Sequence, residues 1–461
     1  MTGHLYGVGV GPGDPELVTI KAARVISAAQ VVAFHSAQHK RSVARGIAEP
    51  YLRPEQIEEQ LVYPITTEET NHPGGYAAAI EEFYVDCAAR LAAHLDAGRD
   101  VVVLSEGDPF FYGSYMHLHK RLAHLYPTTV IPGITSVSAA AAAIGRPLVE
   151  GNEVLTVLPG TLSADELTER LRRTDTAVVM KLGRTFPAVR DALRRAGLAS
   201  DAYYVERAST DAERTGAIEA IDSGTVPYMS VAVVPSRRGA IVEPASSTPD
   251  DIVPAAVGEV VVVGIGPAGP EWLTPEAADC LARAEHLVGY RPYIERVRAV
   301  PGQQRHGSDN RVESERATFA LDLARRGHRV AVVSSGDAGV FGMAAAVLEV
   351  ACQPEWSDIP VRVLPGVSAA HAAASRIGAP LGHDFAVISL SDRLKPWDVV
   401  AERIDAAARA DLGHRQVGSA TPVHGSIGSG LARRRMGKRS GRTRGHRSRP
   451  SPQGPSAPTT S

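Results

Sequence analysis

Gly9-Val10-Gly11-Pro12-Gly13-Asp14-Pro15 follows the apolar-leaning run that opens the chain, and the fold is read outward from it. Its three alternating glycines permit backbone conformations and close approaches that a side chain would block. Pro12 stiffens the turn, and Pro15 suits the first position of a helix expected over 15–28. Strand, glycine-rich turn and helix in succession are the pattern found where ligands collect at the carboxyl edge of a parallel sheet. The dinucleotide fingerprint is excluded, because the position three residues after Gly11 is Asp14 rather than glycine.

Continuing outward, a short strand is expected over 30–34, ending at His35, and a helix over 77–97 closed by Gly98. A strand over 100–104 feeds Ser105-Glu106-Gly107-Asp108-Pro109-Phe110-Phe111-Tyr112-Gly113. Another strand feeds Pro132-Gly133-Ile134-Thr135-Ser136 and a small-residue helix over 138–144. Strands alternating with helices predict an α/β fold with a mainly parallel, doubly wound sheet. From Glu153 a second α/β unit begins, with strands expected at 154–158, 177–182, 202–205 and 229–234. Residues 236–257, rich in Pro, Ser and Ala, read as a linker.

The plan then returns. Gly264-Ile265-Gly266-Pro267-Ala268-Gly269-Pro270 stands 255 positions after the first glycine turn. Ser335-Gly336-Asp337-Ala338-Gly339-Val340-Phe341-Gly342 echoes the turn at Gly107-Asp108. Pro365-Gly366-Val367-Ser368-Ala369, and onward to Ile377-Gly378-Ala379-Pro380-Leu381, echoes 132–148 at a constant offset of 233. Three signatures recurring in one order indicate a tandem duplication. The expected organisation is a first N-terminal lobe over 1–150, its C-terminal lobe over 151–243, and a linker over 244–257. A second N-terminal lobe occupies 258–383, and 384–411 begins a second C-terminal lobe that does not finish. The tail over 412–461 is expected to be disordered.

Composition bounds the chemistry. The chain has 461 residues, 44% of them hydrophobic and 22% charged, as in ordinary soluble domains, and no run reaches membrane-helix length. Cys87, Cys280 and Cys352 form neither a metal-ligand spacing nor a disulfide framework, so no metal and a cytoplasmic setting are expected. The net charge is −2, yet 412–461 holds ten Lys and Arg and no acid, which leaves −12 on the first 411 residues. Arg433-Arg434-Arg435 has no interleaved aromatic residue and no binding fold around it, so no nucleic-acid partner is expected.

These turns resemble the tetrapyrrole (precorrin and uroporphyrinogen) methyltransferases of cobalamin and sirohaem synthesis over about residues 5–410. The first copy, with His72-Pro73-Gly74-Gly75-Tyr76, is similar to the branch that methylates C20 of precorrin-2. The second is similar to the branch that methylates C17 of precorrin-3B with ring contraction, through Gly289-Tyr290 and Leu390-Ser391-Asp392-Arg393-Leu394-Lys395-Pro396-Trp397. The resemblance implies tandem modules, each of two α/β lobes with a cleft for S-adenosyl-L-methionine between them. Its cofactor contacts fall on Pro12, Glu106, Gly107, Asp108, Phe111, Thr135 and Ser136, and on Pro267, Ser335, Gly336, Asp337, Val340, Ser368 and Ala369. Asp108, Asp337, Thr135, Ser136 and Ser368 also suit helix caps. Where several relatives place an aspartate after the second strand, this chain has His35 and Tyr290, each either an acid/base group or a substrate contact. The second glycine turn has Ala268-Gly269 where the first has Gly13-Asp14, so an acidic role for Asp14 is not shared.

Methyl transfer from a sulfonium to carbon needs alignment above all, worth roughly 7–11 kcal/mol in favourable cases. The acidic side arms of a precorrin favour forked guanidinium contacts, for which Arg146, Arg291, Arg311 and Arg376 are candidates. The expected function is S-adenosylmethionine-dependent C-methylation of precorrins in cobalamin biosynthesis, the second activity at risk from the unfinished lobe. Rival readings are a methyltransferase of the same fold acting on another substrate, and a non-catalytic S-adenosylmethionine-binding partner. The resemblance extends to this chain the homodimers common among relatives, while the sequence itself leaves the oligomeric state open.

Overall fold

Valine runs buried on both faces fix the first layer, since Val101, Val102 and Val103 are all fully enclosed, as expected of a parallel strand covered by helices on both sides. The computed structural model describes residues 1–38, 40–65, 70, 72–238, 258–309, 312–378, 381–391 and 396–409, with backbone alone over 413–417. In the first lobe the chain runs β1 (Leu5–Gly9), α1 (Ile20–Ala28), β2 (Val31–Ser36), α2 (Val43–Ala48), β3 (Ile57–Val62) and α3 (Gly75–Asp96). It continues with β4 (Val101–Ser105), α4 (Tyr115–Leu122), β5 (Thr128–Ile131) and α5 (Ser136–Ala143). The sheet is parallel, in the order β3-β2-β4-β1-β5, with Leu5 opposite Val101 on one side and Thr128 on the other.

The second lobe holds β6 (Val154–Pro159), α6 (Ala164–Arg172), β7 (Thr176–Met180), α7 (Phe186–Ala196), β8 (Tyr203–Glu206), β9 (Arg214–Ala217) and β10 (Ser230–Val234). Its sheet is mixed: β6 and β7 run parallel, whereas β10 is antiparallel to both β7 and β8.

The repeat is reproduced in three dimensions. It comprises β11 (Glu259–Gly264), α8 (Pro275–Arg283), β12 (His286–Tyr290), α9 (Arg291–Ile294), β13 (Gln304–Ser308) and α10 (Glu313–Arg325). Then come β14 (Arg329–Ser334), α11 (Met343–Ala351), β15 (Val361–Leu364) and α12 (Ala369–Ile377). The strand order β13-β12-β14-β11-β15 matches that of the first lobe position for position.

Beyond α12 the chain does not start a separate sheet. Strand β16 (Phe385–Ser389) pairs antiparallel with β6, Phe385 opposite Val157, so it extends the first half's second lobe. After α13 (Trp397–Arg409), β17 (Gly413–Val417) adds in parallel to β16 and completes a seven-stranded sheet ordered β17-β16-β6-β7-β10-β8-β9. Those five residues lie within the stretch read from sequence as tail. Arg403 of α13 donates to the Asn152 carbonyl, and Arg170 of α6 pairs with Asp384.

The helix expected over 15–28 is two elements. A single 3₁₀ turn spans Pro15–Leu17, and α1 begins only at Ile20. Two caps divide them: the Asp14 side chain accepts the Glu16 N–H, and the Thr19 hydroxyl accepts the Ala22 N–H. Most of the expected linker, Arg311, Ala379, Pro380, residues 392–395 and, apart from the 413–417 backbone, the tail all lie outside the described residues.

Candidate active site

In the order β4-β1-β5, the carboxyl ends of three neighbouring strands deliver the three glycine-containing turns to one place. The connection after β1 crosses to β2 on one side and that after β4 crosses to β5 on the other, so the switch point lies between these two strands, the crevice in which open α/β sheets bind ligands. The turns touch backbone to backbone. Gly107 donates to the Gly11 carbonyl at 2.7 Å, and Gly11 donates back at 3.3 Å. A Cβ on Gly133 would collide with the Gly107 carbonyl and reach the Gly9 Cα at 3.0 Å. Gly107 itself, buried and at φ +65°, has no atom closer than 3.8 Å where its Cβ would stand, so a side chain is kept out by the backbone conformation rather than by a clash.

Asp108 locks two of these turns. Its Oδ1 accepts the Phe110 N–H at 2.8 Å and its Oδ2 the Gly133 N–H at 3.1 Å. Burial pushes the carboxyl up to about 7, against those two backbone donors. Asp337 repeats the device with Gly339 at 2.9 Å and Gly366 at 3.0 Å, and burial again raises it. Neither aspartate caps a helix, because α4 and α11 start several residues later. Thr135 and Ser368 are caps: their hydroxyls accept Ser138 and His371 N–H groups at the starts of α5 and α12.

The second lobe closes over the first glycine turn. The Asp14 N–H donates to the Ser209 hydroxyl at 3.2 Å, and a Cβ on Gly13 would strike the Thr210 methyl. Arg207 and Ser209 beside this contact, and the paired Tyr112 and Lys181, all have positive φ, between +48° and +66°. Non-glycine residues in that region cost about 1–3 kcal/mol each and cluster at functional sites. The Lys181 ammonium stands 4.7 Å from the Tyr112 ring centroid, and its pKa is lowered by burial. Burial alone lifts the Glu106 carboxyl to about 7.

The second set of turns has the same geometry and a different cover. Gly336 donates to Gly266 at 2.9 Å and receives at 3.1 Å. Among the described residues no lobe lies over them like the loop at 207–210. Instead, Arg296 donates to the Ser335 hydroxyl at 3.0 Å, to the Gly266 carbonyl at 2.9 Å, and to the Ala268 carbonyl.

The family profile described as Tetrapyrrole (Corrin/Porphyrin) Methylases matches residues 4–220 and again 259–417. The chain belongs to this family. Among curated tetrapyrrole methylases, it is 59% identical over 411 residues to a Mycobacterium tuberculosis protein named cobalamin biosynthesis protein CobIJ, covering 89% of this chain and 78% of that one. It is 48% identical over 237 residues to a Sinorhizobium precorrin-2 C(20)-methyltransferase, 51% of this chain and 96% of that enzyme. It is 50% identical over 155 residues to a Sinorhizobium precorrin-3B C(17)-methyltransferase, 33% of this chain and 61% of that enzyme.

In this tetrapyrrole methylase, then, the residues expected at the two sites converge as two sets: Pro12, 106–111 and 135–136 in one, Pro267, 335–340 and 368–369 in the other. His35 and Tyr290 occupy equivalent places at the carboxyl ends of β2 and β12. His35 stacks on Tyr63 at 5.4 Å and meets Phe83 and Tyr84 edge-on at 6.2 Å. Its Nε2 is buried with no hydrogen-bond partner among the described residues, and burial, with His117 nearby, lowers its pKa to about 4. Tyr290 meets the Tyr293 ring at 5.1 Å. Of the arginine candidates, Arg146 lies over the Tyr203 ring at 5.8 Å with a buried Nη1, whereas Arg376 is exposed at the end of α12. Lys181, Arg207, Ser209 and Arg296 were not singled out from sequence. Lys181, Ser209 and Arg296 reach their turns from distant segments, and no local spacing marks them.

Proposed function

We propose that this chain is an S-adenosylmethionine-dependent precorrin methyltransferase of cobalamin biosynthesis. Its first half methylates C20 of precorrin-2, and its second half carries the precorrin-3B C17 specificity. The observation that carries the first assignment is the closed arrangement of three glycine turns under the 207–210 loop, in a half whose Sinorhizobium relative matches along 96% of its length. Gly107 and Gly336, at φ +65° and +68°, leave the backbone of their turns free of side chain, which fits a ligand pressed against the turns where a Cβ would otherwise stand.

S-adenosylmethionine supplies an electrophilic methyl group on sulfur: the new C–C bond forms as the S–CH₃ bond breaks. Pro12, Glu106, Gly107, Phe111, Thr135 and Ser136 hold that donor in the first half; Pro267, Ser335, Gly336, Val340, Ser368 and Ala369 hold it in the second. Asp108 and Asp337 fix the turns that make these contacts. Positioning dominates, as expected for a transfer that needs no covalent enzyme intermediate. Glu106, whose carboxyl burial lifts to about 7, becomes the anionic partner of a cationic donor once that donor binds beside it. Ser335 and the Arg296 guanidinium replace it in the second half, so the two sites differ in charge.

In the first half the meso carbon C20, which receives the methyl, must then lose its proton; C17 carries no hydrogen, so no such proton leaves it in the second half. His35, neutral at Nε2 and set among aromatic rings, takes that proton in the first half, and Tyr290 occupies the equivalent place in the second. The tilted rings of Tyr63 and Phe83, backed by buried Tyr84, offer an aromatic wall to the macrocycle. Incubating the full chain with methyl-labelled S-adenosylmethionine and precorrin-2 is expected to add the mass of one methyl group. Donor binding with no mass gain on precorrin-2 or precorrin-3B would instead identify a non-catalytic binding protein.

A further inference from the structure

We propose that each donor-binding turn is held in shape by the opposite half of the chain, so that residues of the second half are positioning residues for C20 methylation. This inference rests on the donor-binding role assigned above. The contacts are reciprocal. The Leu381 N–H donates to the Phe110 carbonyl at 2.6 Å, and the Leu148 N–H donates to the Gly339 carbonyl at 3.0 Å. Leu381 and Leu148 are repeat equivalents, as are Gly339 and Phe110, so one contact is made twice across a pseudo-twofold relation. Val149 adds a bridge to Val340, and the Phe341 N–H donates to the Val149 carbonyl at 3.1 Å.

The turns need such support. Tyr112 and Phe341, again equivalent, stand at φ +54° and +50° at the ends of their turns. Strained residues of this kind persist only where the surroundings over-determine them. Within its own half, the 106–112 turn is tied by Asp108 on the side of Gly133. Its other side is packed by the second half: the Phe111 ring meets His371 edge-on at 5.2 Å and Phe385 at 5.7 Å. Phe111 is a proposed donor contact, so α12 and β16 set the position of a side chain in the first site without touching the ligand. By the same symmetry, α5 of the first half packs on the second turn, with Ala141 standing beside Gly339. Because both turns share these contacts, ordering one biases the other, and thermodynamic reciprocity makes that effect mutual.

The test uses the full chain with Phe385→Ala, Phe385→Leu and His371→Ala. Amide hydrogen exchange over 107–113 is expected to speed up by about tenfold in Phe385→Ala and His371→Ala, with Phe385→Leu restoring most of the protection. S-adenosylhomocysteine affinity is expected to fall by about five- to tenfold, and the KM for S-adenosylmethionine in C20 methylation to rise in step at nearly unchanged kcat. A lowered melting temperature with wild-type exchange over 107–113 and wild-type affinity would overturn the proposal. The exchange measurement needs no ligand. Should the unsubstituted chain fail to bind S-adenosylhomocysteine, the donor-binding role falls, while exchange still decides whether the halves hold each other's turns. Should Phe385→Ala fail to fold, the smaller His371→Ala change carries the same comparison.

Discussion

Asp108 is engaged by two backbone donors, Phe110 and Gly133, that belong to different turns. Asp108→Ala leaves both buried N–H groups without an acceptor and is expected to cost about 3 kcal/mol of unfolding free energy, read from urea denaturation. Asp108→Asn keeps one acceptor oxygen and is expected to cost less. His35 supplies a pH signature. Its imidazole is held near 4 when folded against 6.5 when free, so the native state binds fewer protons across that window. The stabilisation is complete above about 6.5 and is lost as pH falls toward 4, with a slope of up to about 1.4 kcal/mol per pH unit. That component is expected to vanish from the stability profile of His35→Gln, whose C20 turnover is expected to fall about 10²-fold. At this scale Asp108 and the glycines were marked by turn chemistry, which is local, whereas His35 was marked by the resemblance alone. The sequence left Lys181, Ser209 and Arg296 unmarked, since their partners lie 28 to 195 residues away.

Among the elements, the strand-turn-helix periodicity was legible in strands buried on both faces such as β4 and β10. Edge strands β3 and β13 were not, because Ile-Glu-Glu-Gln-Leu-Val and Gln-Arg-His-Gly-Ser carry too little apolar alternation. The break before α1 went unread for a different reason. The apolar spacing continues through Val18, while two side-chain caps interrupt the backbone. The second glycine turn depends on one loop residue that no capping rule marks. Arg296→Ala removes the donor shared by Ser335, Gly266 and Ala268. It is expected to raise amide exchange over 264–269 about tenfold, and Arg296→Lys is expected not to rescue it, because an ammonium cannot reproduce the forked geometry.

For the whole molecule, duplication was plain in the sequence, but the fate of the chain after Asp384 was not. A strand pattern at 385–389 cannot say which sheet it joins, and β16 joins that of the other half. The two halves also share an apolar cluster of Leu17, Ile134, Trp272, Val367 and Ala372, in which Leu17 and Trp272 are repeat equivalents. A chain cut genetically between residues 243 and 258 is therefore expected to yield two pieces that co-elute on gel filtration at micromolar concentration. Separate elution would show that the shared sheet and cluster contribute little.

The symmetry of that junction breaks at one point. Ile20 donates its N–H to the Leu273 carbonyl at 2.8 Å, whereas the matching position, Pro275, has no N–H to return. Two identical free subunits would have to form every such bond in pairs and would come apart on dilution. A single polypeptide fixes the local concentration of one half around the other, so this lopsided contact survives at any abundance in the cell, and each half is free to drift from its twin.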